Sequence, residues 1–306
     1  MPRELEDLPI LGEKQVARLL EWKPLIDVAE AALTEFSAGK VAQPVRQIIQ
    51  VPGKDAFLAT MPAVGSAMAV KIVTFFQGNA GTGLPTHQGV ILVFDTENGA
   101  PIALLDGRLI TEMRTAAGSA AAARKLAPKS VDVVTIMGNG VQAGAHVDAL
   151  AQVRDWKQLR VWARDENKGR AFADRVGATF FADAETAVRD ADIIACTTSA
   201  KEPILQGAWL KPGAFVAAVG WNTPEGRELD DAAMGNTVIV ESIDAARDQS
   251  GNVRGSNCTI FAEAGQLYAG QKRVPEGATV TYDSIGIAIL DVAAAKLVYD
   301  RWLASQ

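Results

Sequence analysis

The segment Gly138-Asn139-Gly140-Val141-Gln142-Ala143 has the spacing that brings a backbone against a pyrophosphate. An apolar run, 131–137, leads into it and a helical pattern follows, the context that G-x-G-x-x-A requires. Gly138 permits the tight turn and Gly140 lets the backbone approach the phosphates. Ala143 lets helix and strand pack closely, and Val141 and Gln142 open a helix whose N-terminus favours anions. Dinucleotide folds that take NAD place an acid at the end of the second strand, accepting from the ribose 2′-hydroxyl. Here the chain reads Ala163-Arg164-Asp165. Arg164 suits a 2′-phosphate, so NADPH is expected over NADH, with Asp165, one place late, as the rival acid.

Three basic residues stand in apolar surroundings. Arg46 lies between Pro44-Val45 and Ile48-Ile49, Lys71 between Val70 and Ile72, and Arg114 within an alanine-rich helix. Such a group either snorkels to water or finds a buried opposite charge. His87 and His146 are the two histidines. His146 falls on the helix after the glycine loop and reads as packing or surface.

Positioning these groups takes two kinds of architecture. Residues 12–39 carry apolar positions at three- and four-residue steps, predicting a helix that stops at Gly39. Short apolar runs follow at 45–51, 56–61, 67–76, 89–94 and 101–105, with Asn98-Gly99 as a hairpin signal. A helix predicted over 109–126, rich in alanine, connects to the second half. There, strands at 131–137, 159–163, 179–182, 192–197, 214–219 and 237–241 alternate with helices such as 142–152 and 167–176. That alternation predicts a parallel sheet covered by helices. The last helix, 285–303, is expected to return to the first domain. The fold expected is α/β: a Rossmann-type doubly wound parallel sheet plus a discontinuous α+β domain. The boundaries expected are 1–117 with 286–306, and 118–285 for the NAD(P)-binding domain.

The 306 residues are 48% hydrophobic and 22% charged, with a net charge of -6. That balance points away from nucleic acid and anionic membranes as partners. Two cysteines, Cys196 and Cys258, form neither a disulfide framework nor a zinc pattern, and Cys196 reads as a core thiol. No metal is expected. The N-terminal stretch has no apolar targeting core and no segment is apolar enough to span a bilayer, so a soluble, cytoplasmic protein is expected.

With these motifs in order, the chain resembles the ornithine cyclodeaminase/mu-crystallin family, and more closely its mu-crystallin (ketimine reductase) branch. The resemblance runs through Leu84-Pro85-Thr86-His87-Gln88, Asp106-Gly107-Arg108-Leu109-Ile110-Thr111, Arg114-Thr115-Ala116-Ala117 and the glycine loop. It continues in Arg227-Glu228-Leu229-Asp230-Asp231, Ser284-Ile285-Gly286 and Ala294-Ala295-Lys296-Leu297. It implies a homodimer formed through the first domain's sheet, with substrate held in a cleft against the nicotinamide. It implies that Arg46, Lys71 and Arg114 hold a substrate carboxylate, the guanidinium forks and the ammonium fixing its orientation. Thr86, Thr115, Thr197, Ser284 and Ile285 are implied around the cofactor. His87 is open to three readings: a hydrogen bond to the cofactor, a proton relay, or a structural role.

One departure bears on the reaction. Where cyclodeaminases carry an acid/base aspartate, this chain has Asn222, beside Trp221. Asparagine holds a hydrogen bond but cannot accept and return a proton. The expected activity is therefore NADPH-dependent reduction of a small cyclic ketimine carboxylate. An amino-acid dehydrogenase of the alanine dehydrogenase kind, an ornithine cyclodeaminase and a non-catalytic ligand-binding protein are the alternatives.

Overall fold

A computed structural model describes residues 5–220 and 224–306. The chain divides into two compact units, Met1–Arg114 with Ile287–Gln306, and Thr115–Gly286.

The first unit opens with β1 (Ile10–Leu11), α1 (Glu13–Leu19) and α2 (Trp22–Ser37). The single helix expected over 12–39 is thus two, with Leu20 extended between them at φ -98° and ψ 104°. Pro24 accounts for the break. In a continuous helix it could not donate to the Leu20 carbonyl and its ring would clash there, whereas the first turn of α2 needs no such donor. Strands β2 (Gln47–Gln50), β3 (Ala56–Val64), β4 (Met68–Phe76), β5 (His87–Phe94) and β6 (Pro101–Asp106) then form successive antiparallel pairs. Asn98-Gly99 makes the β5–β6 turn, with Gly99 at φ +76°. Among the described residues this sheet has six strands in the order β1-β6-β5-β4-β3-β2.

Period-two alternation divides its faces. Ala69, Lys71 and Val73 of β4 are buried on one face, with Met61 and Ile91 across the strands. On the other, Val64, Ile72 and Val90 are exposed. After β6 comes α3 (Gly107–Leu126), along which Ala116, Ala117 and Ala120 to Ala123 are completely buried. Cβ-only side chains let neighbours approach the helix backbone closely, which explains so alanine-rich a sequence.

The second unit contains β7 (Val133–Met137), α4 (Val141–Leu150), β8 (Gln158–Trp162), α5 (Glu166–Val176), β9 (Thr179–Phe181) and α6 (Ala184–Val188). It continues with β10 (Ile193–Cys196), β11 (Phe215–Ala218), α7 (Asp231–Met234), β12 (Thr237–Val240), α8 (Ile243–Gln249) and α9 (Gly251–Ser256). Strand β13 (Ile260–Glu263), α10 (Ala264–Tyr268) and β14 (Val280–Asp283) complete it. Among the described residues the sheet has eight strands, order β13-β12-β14-β11-β10-β7-β8-β9, and every adjacent pair is parallel. The chain runs outward from β7 through β8 and β9, then returns to β10 on β7's other side. That reversal opens a crevice at the carboxyl ends of the strands, where dinucleotides bind in such folds. Cys196 is buried in the core, its thiol pushed well up by desolvation.

β13 and β14 have no counterpart in the apolar pattern. β14 reads Val-Thr-Tyr-Asp, and its polar members are buried against specific partners. Thr281 Oγ1 donates to the Ala233 carbonyl at 2.9 Å, and Asp283 Oδ1 accepts from Asn252 Nδ2 at 2.8 Å.

The final helix, α11 (Ala288–Ala304), packs in the first unit over β3, β4, β5 and α2. It starts later than the 285 expected, because Gly286 sits at φ +72° with its N–H donated to Glu241 Oε2 at 2.7 Å.

Candidate active site

In the first unit, Lys71 projects from the covered face of β4 and is 2% exposed, with Arg114 on α3 at 5%. Both meet Asp291, 0% exposed in the first turn of α11. Lys71 Nζ lies 2.7 Å from Asp291 Oδ2, and Arg114 Nε donates to Oδ1 at 2.9 Å. Lys71 also donates to Thr111 Oγ1 at 3.3 Å, and that hydroxyl donates to the Gly107 carbonyl at 2.7 Å. Arg114 Nη1 is buried and has no hydrogen-bond partner among the described residues. Half-buried Arg46, just before β2, lies close enough for its charge to act on Lys71 and His87.

Two buried cations, Lys71 and Arg114, share one buried carboxylate here. Burial lowers the Lys71 ammonium to about 8; Asp291 opposes that loss, while Arg114 and Arg46 add to it. A buried cluster with surplus positive charge is costly unless an anion joins it. A ligand carboxylate meets that need, and the Nη1 edge of Arg114 offers it a planar donor.

His87 begins β5, its ring 4.7 Å from that of Phe75 at 54°, with Thr86 Oγ1 at 3.4 Å from Nδ1. Crowding by protein atoms, then the charges of Lys71, Arg114 and Arg46, lower its imidazole to about 4. Its side chain keeps solvent-exposed surface, so water screens part of both effects, and the direction is what the surroundings fix. At pH 7 the ring is neutral, with one N–H and one lone pair to offer.

In the second unit, β7 ends at the glycine loop. Gly138 has φ +128°, and a Cβ there would stand 2.6 Å from Thr197 Oγ1. Its N–H donates to the Trp162 carbonyl at 2.8 Å, which sets the loop beside the end of β8. Gly140 caps α4 with no side-chain hydrogen bond, and a Cβ there would meet nothing within 4 Å. The cradle is open on the side a phosphate would fill, and the N-terminal amides of α4 open onto it. Val141 is exposed, and the Gln142 carbonyl is 2.8 Å from His146 Nδ1. His146 is buried, its Nε2 3.0 Å from Ser119 Oγ, so its role is packing between α3 and α4.

Beyond β8, Ala163 is buried and Arg164 exposed, while Asp165 caps α5 by accepting from Lys168 N–H at 3.1 Å. Asp165 is thus engaged as a helix cap. Thr197 is held against Met137 by its N–H at 2.9 Å and its hydroxyl at 3.0 Å. Thr115, Ser284 and Ile285 are buried, and the Ser284 hydroxyl donates to Glu241 Oε1 at 2.8 Å. Asn222 and Trp221 lie outside the described residues. Among the described residues, no group of three or more His, Cys, Asp and Glu is placed to hold a metal, and no helix is long and apolar enough to cross a membrane.

Two acids at these sites are given no role by the sequence reading. Asp291 is one; the signal available was an acid inside the apolar stretch Ile289-Leu290-Asp291-Val292, which demands a partner. Glu228 is the other, completely buried. Its Oε1 accepts from Thr198 N–H at 2.7 Å and Thr198 Oγ1 at 2.6 Å, and its Oε2 from Gly220 N–H at 2.8 Å. It ties together the carboxyl ends of β10 and β11.

Several known proteins resemble this chain over nearly its whole length. The chain is 42% identical over 287 residues to mouse (Mus musculus) ketimine reductase mu-crystallin, covering 91% of this chain and 92% of that one. Among solved structures, Thermococcus litoralis Delta(1)-pyrroline-2-carboxylate reductase in complex with NADH and L-proline matches with TM-score 0.92 and 30% identity, over 97% of this chain and 98% of that one. An archaeal alanine dehydrogenase dimer with bound NAD matches with TM-score 0.91 and 27% identity, over 97% of each chain. The model of the ornithine cyclodeaminase/mu-crystallin family matches residues 9–306, and the chain belongs to that family.

Proposed function

We propose that this protein is an NADPH-dependent reductase of small cyclic ketimine carboxylates, working as a homodimer. The observation that carries the reading is the buried pair of Lys71 and Arg114 against the single carboxylate of Asp291, with half-buried Arg46 nearby, in a chain that also holds a dinucleotide loop. The first unit supplies the carboxylate site and the dimer contact; the second holds the cofactor through Gly138, Gly140, Val141, Gln142 and Thr197, with Arg164 on the 2′-phosphate. The bound dinucleotide supplies a hydride. Lys71, Arg114 and Arg46 fix the substrate carboxylate and so orient the adjacent C=N carbon. A ketimine that arrives protonated needs nothing more: a C–H bond forms, the C=N π pair moves onto nitrogen, and the product is the cyclic amino acid. Asn222 suits this reaction better than cyclodeamination, which asks for an acid/base at that point.

The direct test is NADPH oxidation with five- and six-membered cyclic ketimine carboxylates, beside L-ornithine with NAD and pyruvate with ammonia. Turnover confined to the ketimines supports the reading. Turnover confined to pyruvate with ammonia would establish the alanine dehydrogenase reading instead, which the likeness to the archaeal enzyme keeps in view.

Cofactor choice rests on Arg164, since Asp165 is occupied as a cap. Arg164→Ala is expected to raise KM for NADPH roughly 10- to 100-fold, a charge-assisted contact being worth about 1.5–3 kcal/mol, and to leave KM for NADH within about twofold. Equal effects on both would remove Arg164 from the 2′-phosphate.

The open face of the first unit's sheet presents Val64, Ile72 and Val90, an apolar surface suited to a second copy. Ile72→Asp is expected to halve the molar mass in sedimentation; an unchanged dimer would place the contact elsewhere.

Carboxylate binding should also depend on pH through Lys71. Only the ammonium form attracts an anion, and it is lost above about 8. The inhibition constant of a carbocyclic carboxylate, whose only titrating group is ionised throughout, should be level at neutral pH and weaken above about pH 8. A level profile to pH 10 would show that Lys71 does not bear on binding.

A further inference from the structure

We propose that Asp291 is a positioning residue of the carboxylate site, aiming Lys71 and the Nη1 edge of Arg114 at the ligand by engaging the other side of each. The inference rests on the carboxylate reading above and adds a residue that touches neither substrate nor cofactor.

The geometry is specific. Each oxygen of Asp291 serves one cation, Oδ2 to Lys71 at 2.7 Å and Oδ1 to Arg114 Nε at 2.9 Å. An arginine held at Nε cannot turn about its Cδ–Nε bond without breaking that contact, so its Nη edge has a fixed direction. Nη1 is the atom left buried without a partner. An ammonium has three N–H bonds; one goes to Thr111 and the charge faces Asp291 Oδ2, which leaves at least one N–H for a ligand. Asp291 comes from the first turn of α11, where the helix dipole favours negative charge, while its partners come from β4 and α3. One carboxylate thereby sets three elements in register around the site.

It also governs how long Lys71 stays charged. The described groups acting on Lys71 are Asp291 from α11, Arg114 and the Thr111 hydroxyl from α3, and Arg46 from the segment before β2. His87, on the neighbouring β5, is neutral at pH 7. Asp291 alone among the charged groups favours the ammonium; Arg114, Arg46 and burial oppose it.

Asp291→Asn is therefore expected to move the pH at which carbocyclic carboxylate inhibition weakens from about 8 to at least one unit lower, and to lower kcat about tenfold even below that pH. Binding of NADPH, followed by its fluorescence, should stay within about twofold. A purely structural ion pair predicts a lower Tm with the break unmoved, and that result overturns the proposal. Should Asp291→Asn not fold, Asp291→Glu carries the test. It keeps the charge but shifts it by one methylene, so the break should hold near 8 while kcat falls about fivefold or more; unchanged kcat overturns the proposal. Failure of the underlying reading looks different, because the wild-type protein itself would then show no break and Lys71→Ala would retain full activity.

Discussion

Lys71→Ala is expected to lower kcat/KM for a ketimine carboxylate by roughly 100- to 1,000-fold. Truncating one partner of a desolvated, hydrogen-bonded charge pair costs about 2–5 kcal/mol, and each 1.4 kcal/mol is about tenfold. Three features put Lys71 within that range. It is 2% exposed, so water cannot replace the lost ammonium. Its neighbour Arg114 cannot move into the gap, being held by Asp291 at 2.9 Å. The substrate carboxylate also loses one of the contacts that orient the reacting carbon, which should depress kcat as well as raise KM. Steady-state kinetics with a ketimine panel, with NADPH binding measured separately by fluorescence, checks the expectation. Affinity for NADPH should hold, because the glycine loop belongs to the other unit of the chain. Full activity in the variant would sink the assignment of Lys71 to the carboxylate.

The second large effect concerns two glycines that look alike in the motif and differ in the fold. Gly138→Ala and Gly140→Ala are both expected to weaken NADPH binding by about 100-fold or more, but only the first should lower stability. At Gly138 the backbone has φ +128°, a region costing an L-residue about 1–3 kcal/mol. The new methyl would stand 2.6 Å from Thr197 Oγ1 and 3.1 Å from the Thr197 carbonyl oxygen. Thr197 cannot retreat cheaply, since both its N–H and its hydroxyl are bound to the Met137 carbonyl. Gly140 is at φ -85°, and its Cβ would meet no protein atom within 4 Å. Glycine is required there by what approaches the loop, which makes Gly140→Ala a well-folded variant deficient in binding. Thermal unfolding without cofactor, run beside NADPH titrations, separates the two. A normal Tm for Gly138→Ala, or undiminished binding by Gly140→Ala, would contradict this division of roles.

The elements that position these sites were legible in the sequence to differing degrees. Strands β4 and β5 show as apolar runs because the face opposite the buried one also carries apolar residues, Ile72 and Val90 among them, and Asn98-Gly99 marks a turn by its own backbone preference. The break between α1 and α2 escaped the apolar periodicity, which carries through it; the cause is Pro24, whose missing N–H acts on Leu20. Strand β14 escaped because Thr281 and Asp283 are buried by hydrogen bonds to Ala233 and Asn252 rather than by apolarity. Ser284 and Gly286 similarly owe their conformation to Glu241, more than 40 residues earlier in the chain.

By itself the sequence determined the fold class, the dinucleotide loop and the oddity of three basic residues in apolar company. Those are local properties: hydrophobic period, turn chemistry and the cost of burying a charge are all written within a few neighbouring residues. Tertiary structure decided which anion answers those charges. Asp291 is 177 residues from Arg114, and nothing in the composition of α11 names its partners; packing of that helix over β4 does. Tertiary structure likewise decided that His87 is neutral at pH 7, since a field of three cations exists only once distant segments have come together.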